Sequence, residues 1–117
     1  MKLKTSELTG RALDYAVGLA VTDDDVKCDG QHISVTFNGG RYIYSWNPAT
    51  NWEQCGQLIE KYITALALHT RGEHWIAGSR IHGTSTGETA QISICREVVR
   101  NQLGDEVEIP DELLEGE

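Results

Sequence analysis

What this 117-residue sequence lacks narrows it first. No apolar run approaches the roughly 20 residues of a membrane span, and the opening MKLKTSELTG has none of the apolar stretch of a secretory signal. Both absences predict a protein that works in the cytoplasm, away from membranes. The three cysteines, Cys28, Cys55 and Cys95, are odd in number, widely spaced and without a C-x-x-C pair. Free, partly buried thiols are therefore expected rather than a disulfide or a metal site. His32, His69, His74 and His82 include no i, i+4 pair for a helical zinc site, although His69 and His74 could face each other across a hairpin. G-x-S-x-G is absent, and so is the G-K-[ST] of a Walker loop. No cofactor is expected, and a non-enzymatic role is favoured over a small enzyme with an unrecognised site.

Basic residues are also scarce. Ten lysines and arginines face 18 acids, for a net charge of -8. Seven of the acids lie between Asp105 and Glu117 with no base among them, which leaves 11 acids against 10 bases in the rest. That near-neutral body has no basic stripe for a phosphate backbone, which argues against general nucleic-acid binding. Nor is it acidic throughout, as a mimic of DNA would be. Residues 1–104 read as a single domain and residues 105–117 as a solvated acidic tail. With 39% hydrophobic residues, the core should be thin.

What is present is well patterned. Leu13, Ala16, Val17 and Ala20 fall at i, i+3, i+4 and i+7, one buried helical face, with Thr9 as cap and Leu8 and Leu13 as a hydrophobic staple. Asp23 to Asp25 end that helix in a loop. The alternating runs His32–Phe37 and Arg41–Trp46 flank Asn38-Gly39-Gly40 and predict a hairpin. A short strand around Val26–Cys28 would join it across Asp29-Gly30. Asn51 can cap a short helical turn through Cys55, Gly56 punctuates it, and Gln57–Tyr62 can form a second short helix. Ile63–Leu68 and His74–Ala77 read as paired strands about a turn at Thr70–Glu73, followed by a Gly/Ser/Thr loop over 78–87. Thr89 then caps a helix with Ile92, Cys95, Val98 and Val99 on one face and Gly104 as its stop. The sum is an α+β domain: an antiparallel sheet of about four or five short strands packed with an N-terminal and a C-terminal helix.

Three stretches, KTSELTGRALDYAVGLA, PATNWEQCGQLIEKY and VRNQLGDEVEIPDEL, resemble in order and spacing the NinX family, small bacteriophage proteins of unknown function. The resemblance implies a phage accessory protein acting in the bacterial host cell. It implies no reaction and no catalytic residues.

Two segments could form a site. The loop Arg80-Ile81-His82-Gly83-Thr84-Ser85-Thr86-Gly87-Glu88-Thr89 is rich in hydroxyls and runs straight into a helix N-terminus. Free backbone N–H groups and the guanidinium of Arg80 would suit a phosphate there. The same composition also makes a plain flexible connection. The second is WNPATNWEQCG, residues 46–56: its Trp46 shares a strand face with the preceding Tyr42 and Tyr44, either as core or as a stacking platform. Core is expected for Trp46. Trp52, on a polar turn after Asn51, is the better stacking surface for a flat ligand, with Asn47 or Asn51 reading a base edge. Cys55 is the thiol to test for reactivity, and Cys95 falls on the apolar face of the last helix. The reading is a binding module for a phosphate-bearing, nucleotide-like molecule, suited to sequestering a signal of host antiviral defence. The alternative is an inhibitor or adaptor of a host protein. A two-fold homodimer is expected from the thin core and the surplus of aromatics on Tyr42–Trp52.

Overall fold

The apolar spacing at Leu13, Ala16 and Val17 winds helix α1, Gly10–Val21, and all three side chains are buried. The computed structural model describes residues 1–22, 25–29, 32–37, 40–69 and 71–114. The loop expected at Asp23-Asp24, the turns at Gly30 and Asn38-Gly39, and Thr70 lie outside the described residues. Leu8 and Leu13 both enter the core, as a hydrophobic staple requires. Thr9 has the extended backbone of a cap, but its side chain makes no capping bond.

Strands β2 (Asp25–Asp29), β3 (His32–Thr36) and β4 (Tyr42–Ile43) form an antiparallel sheet in that order. Val26 lies opposite Val35, and Val35 opposite Ile43. Ile33 and Val35 face the core, where α1 lies against them. Helix α2, Trp52–Tyr62, is continuous, where two short pieces had been expected. Gly56 weakens a helix without breaking it, and the Asn51 side chain caps the whole element by accepting from the N–H groups of Glu53 and Gln54.

A second three-stranded antiparallel sheet follows: β5 (Ala65–Leu68), β6 (Trp75–Gly78) and β7 (Thr84–Gly87). The expected loop over 78–87 therefore contains a strand. Its register sets Ser85 opposite Ala77 and Thr86 opposite Ile76. Helix α3, Ala90–Leu103, packs on β6, β7, α1 and α2. Ile94, Cys95, Val98 and Val99 are wholly buried on it, and the Thr89 hydroxyl accepts from the Ile92 N–H at 3.1 Å. Gly104 stops the helix at φ 93°, a conformation that costs glycine little. The class is α+β with antiparallel pairing throughout. The strands are divided among three small sheets rather than gathered into one.

The third sheet corrects the reading of the acidic end. Strand β8 (Glu106–Glu108) pairs antiparallel with β1 (Lys2–Lys4). Lys2 lies opposite Glu108 and Lys4 opposite Glu106, while Leu3 meets Val107 beneath them. The cross-strand lysines offset the acids at the surface. Val107, Ile109 and Leu113 supply what a solvated tail lacks, since all three are buried. The tail reading counted charges, whereas the segment docks by its alternate apolar residues. Leu113→Ala should accordingly lower stability by about 2–4 kcal/mol, as truncation of a buried leucine does. Urea unfolding measures this, and an unchanged midpoint would restore the solvated tail.

Candidate functional site

The turn between β4 and α2 is held from two sides. Asp14 of α1 accepts the Ala49 N–H on its carboxyl at 2.9 Å, and its main-chain oxygen accepts the Trp46 indole N–H at 3.0 Å. From α2, the Gln54 side chain donates to the Ser45 carbonyl at 2.8 Å and accepts the Asn47 N–H at 2.7 Å. Trp46 is consequently core, 5% exposed, with its ring edge-on to Phe37. Tyr42 and Tyr44 do not share its face. Strand β4 ends at Ile43, the alternation lapses, and both tyrosines are exposed. Trp52 stands in the first turn of α2 at 53% exposure. Asn51 is committed to capping, and its amide donates to the Asn47 side chain at 3.4 Å.

Beside this turn, the β3–β4 hairpin and α2 diverge and leave a groove of about 440 Å³. Phe37, Arg41 and Ile43 line one wall; Asn51, Gln54, Gln57, Lys61 and Tyr62 line the other; Trp46 and Leu58 also contribute. Asn51 is the residue expected from sequence that lies in it, and Trp52 adjoins its lining. The Arg41 guanidinium sits 5.4 Å from the Phe37 ring centre, and the Lys61 ammonium 5.4 Å from that of Tyr62. Among the described residues neither cation has a carboxylate partner. Glu53 also lines the groove, so the local balance is one positive charge. Sequence reasoning passed over Arg41 and Lys61 because they are 20 positions apart and meet only when the hairpin packs beside α2.

The segment 80–89 is arranged differently. Arg80, His82 and Gly83 lie on the exposed connection after β6, and Thr84, Ser85 and Thr86 belong to β7. Ser85 is buried and donates to Glu97 at 2.8 Å. The His82 carbonyl accepts from Arg100 at 2.8 Å and the Thr86 carbonyl from Arg96 at 2.8 Å. Gly83 passes over Arg100 so closely that a Cβ there would lie 3.2 Å from its guanidinium. Thr84, Ser85, Thr86 and Arg100 do border a second hollow of about 530 Å³, but Asp105 and Glu106 line it too. Arg80 lines neither cavity.

Cys55 and Cys95 are wholly buried, and their thiols interact with each other. That contact and burial push the Cys95 thiol well above its usual value, while the same contact lowers that of Cys55; burial keeps both sulfurs away from solvent. His69 and His74 do stack across their turn, with ring centres 4.5 Å apart. Among the described residues no group of three His, Cys, Asp or Glu is placed to hold a metal, and no helix is long and apolar enough to cross a membrane.

Asp14 is the titratable group on which this region depends. Burial raises its pKa from 3.8 to about 7, against the lowering effect of the Ala49 N–H. A carboxyl raised on folding stabilises fully below pH 3.8, and that contribution is lost as pH climbs to about 7. The slope is about 1.4 kcal/mol per pH unit, or about 4 kcal/mol across the window. Asp14→Asn keeps an acceptor for Ala49 without the charge. Its stability relative to the unsubstituted protein should rise through that window and level off above it. Urea midpoints at a series of pH values measure this, and a difference that is flat with pH would show an ordinary carboxylate.

No curated protein matches the chain. The family model described as Bacteriophage P22, NinX matches residues 4–101, from β1 through α1, both three-stranded sheets and α2 into the last turn of α3. The groove and the Asp14-braced turn fall within that match, while β8 and the docked acidic end follow it. The chain belongs to the NinX family of bacteriophage proteins.

Proposed function

We propose that this protein is a phage accessory protein that binds a small phosphate-bearing, nucleotide-like molecule in the groove between the β3–β4 hairpin and α2. The observation that carries this is the pairing of two cations without carboxylate partners, Arg41 and Lys61, with the aromatic side chains of Phe37 and Tyr62 around one concave space. A flat ring gains from aromatic contact, and an anionic group gains from cations whose charge is not already spent. Asn51, Gln54 and Gln57 border the groove and add polar atoms for a base or sugar. Of the nucleophilic or proton-transferring groups, the lining contains Glu53, Lys61 and Tyr62, and neither imidazole nor thiol. In this reading the ligand is held rather than transformed. In an infected cell, such binding would sequester a nucleotide-like signal of host antiviral defence.

The exposed Tyr42, Tyr44 and Trp52 support a second reading, a surface that inhibits or adapts a host protein, because exposed aromatics are frequent anchors of such contacts.

Thermal unfolding with a panel of nucleotides and sugar phosphates distinguishes the two. A ligand at a hundredfold excess over Kd stabilises the folded state by about 2.7 kcal/mol, a rise of about 10 °C in a domain of this size. Arg41→Ala combined with Lys61→Ala should remove most of the shift, and Arg80→Ala should leave it unchanged. If no compound shifts the midpoint, or if the double variant shifts as fully as the parent, the groove is not the ligand site and the protein–protein reading leads.

A further inference from the structure

We infer that β5 is a dimerisation strand: two copies of the chain pair antiparallel through Ala65–Leu68, joining their three-stranded sheets into one of six. The inference starts from the direction of the backbone. His69 donates its N–H to the His74 carbonyl at 2.9 Å, across the β5–β6 turn. Hydrogen-bonded pairs alternate along an antiparallel ladder, so Ala67 and Ala65 bond inward to Ile76 and Gly78, which lie opposite them. The N–H and C=O groups of Leu66 and Leu68 therefore point away from β6. Strand β5 is the edge of its sheet, and no described bond outside the ladder involves either residue.

The opposite edge of the same sheet is treated differently. On β7 the outward Thr86 carbonyl is capped by Arg96. Exposed edges are normally guarded by a charge, a proline or a bulge. The sequence ALAL of β5 has none of these.

The side chains indicate the same surface. Leu66 lies opposite Ala77, and Ala77 opposite Ser85, so all three share one sheet face. Ala77 and Ser85 are buried on that face, which packs on α3. Leu66 and Leu68 are nonetheless 36% and 49% exposed, because the sheet extends beyond the helix that covers it. A strand with leucines on its core-side face is the complement such an edge requires, and β5 itself is that strand. Charge also selects a second copy. In a chain of net charge -8, a symmetric contact opposes like with like and survives where acids are missing. From Tyr62 to Leu68 there is no Asp, Glu, Lys, Arg or His.

A two-fold axis at Ala67 satisfies the outward groups. Leu66 and the partner's Leu68 exchange both N–H···O bonds, as do Leu68 and the partner's Leu66. Ala67 meets its own copy in a non-hydrogen-bonded pair, where Cα atoms approach to about 4.5 Å and a small side chain fits. This contact does not use the aromatic stretch Tyr42–Trp52 and is independent of any ligand in the groove.

Light scattering tests the dimer. The protein should run at twice 13.0 kDa at micromolar concentration. The double variant L66K/L68K should fall to a single chain with unchanged helical circular dichroism, since both leucines are exposed. Ala67→Cys, oxidised with diamide, should give a cross-linked dimer on a non-reducing gel, whereas the unsubstituted chain with Cys28, Cys55 and Cys95 should not. A single-chain mass for the parent, or a dimer indifferent to L66K/L68K, would overturn the inference. Loss of the dimer in L66K/L68K without cross-linking of Ala67→Cys would overturn the strand pairing, leaving only leucine packing.

Discussion

The carboxylate of Glu97 is wholly buried, and the C-terminal half of the molecule is arranged around it. An uncompensated charge in such a place would not survive folding. Here all four bonds are made: Oε1 accepts from Ser85 and from Nε of Arg100, and Oε2 from Ser79 and from Nη2 of Arg100. The arginine stands one turn along the same helix, so the ion pair is local. The two serines come from the end of β6 and from β7. One side chain of α3 thus sets where the sheet lies on the helix, and removing either partner would strand a buried charge at a typical cost of about 3–5 kcal/mol. Asn101 reinforces the joint by donating to the Ser79 hydroxyl.

The N-terminal half meets the same problem with a different solution. Asp14 is nearly as buried as Glu97, but among the described residues no cation is paired with it. The Ala49 N–H that it accepts is not enough to hold a carboxylate ionised, so burial prevails and the proton is retained toward neutral pH. The two buried acids lock different joints. Glu97 fixes a sheet to a helix. Asp14 fixes a turn to a helix, and through the turn it fixes Trp46, which contributes to the groove wall. The groove lies where α2 and the hairpin diverge beyond that brace.

The sequence showed most clearly those parts whose folding is local. Both long helices were readable from apolar spacing. The cap at Thr89, the cap at Asn51 and the stop at Gly104 were readable from side-chain chemistry. Strand β7 was not, because Thr-Ser-Thr-Gly has the composition of a loop. It becomes a strand by pairing with β6 and by the bond from Ser85 to a glutamate 12 positions away. The acidic end misled for a related reason. Its buried Val107, Ile109 and Leu113 are separated by acids, and the lysines that offset those acids are at the other end of the chain. In the groove, Asn51 was readable as a polar residue beside an exposed tryptophan. Arg41 and Lys61 were not, since nothing in either one's neighbours anticipates the other. The hydroxyl-rich segment 80–89 shows the converse. It had the composition of an anion site, but much of its hydrogen bonding is spent on Glu97, Arg96 and Arg100.

If the proposed groove binds an anion, the acidic surface around it would discriminate by the size of that anion. Screening limits the reach of exposed charges to about 8–10 Å at ordinary ionic strength. A mononucleotide-sized ligand within the groove would therefore respond to Arg41, Lys61 and Glu53 more than to the net charge of -8. A polynucleotide must extend past that radius. Its neighbouring phosphates would then cross a surface on which acids outnumber bases, without the counterion release that a basic stripe provides. The same surplus of acid that would disfavour DNA or RNA would leave a small anion inside the groove little affected. On this physical ground the proposed ligand is a single small molecule, and affinity for it should fall less steeply with salt than binding along a polymer would.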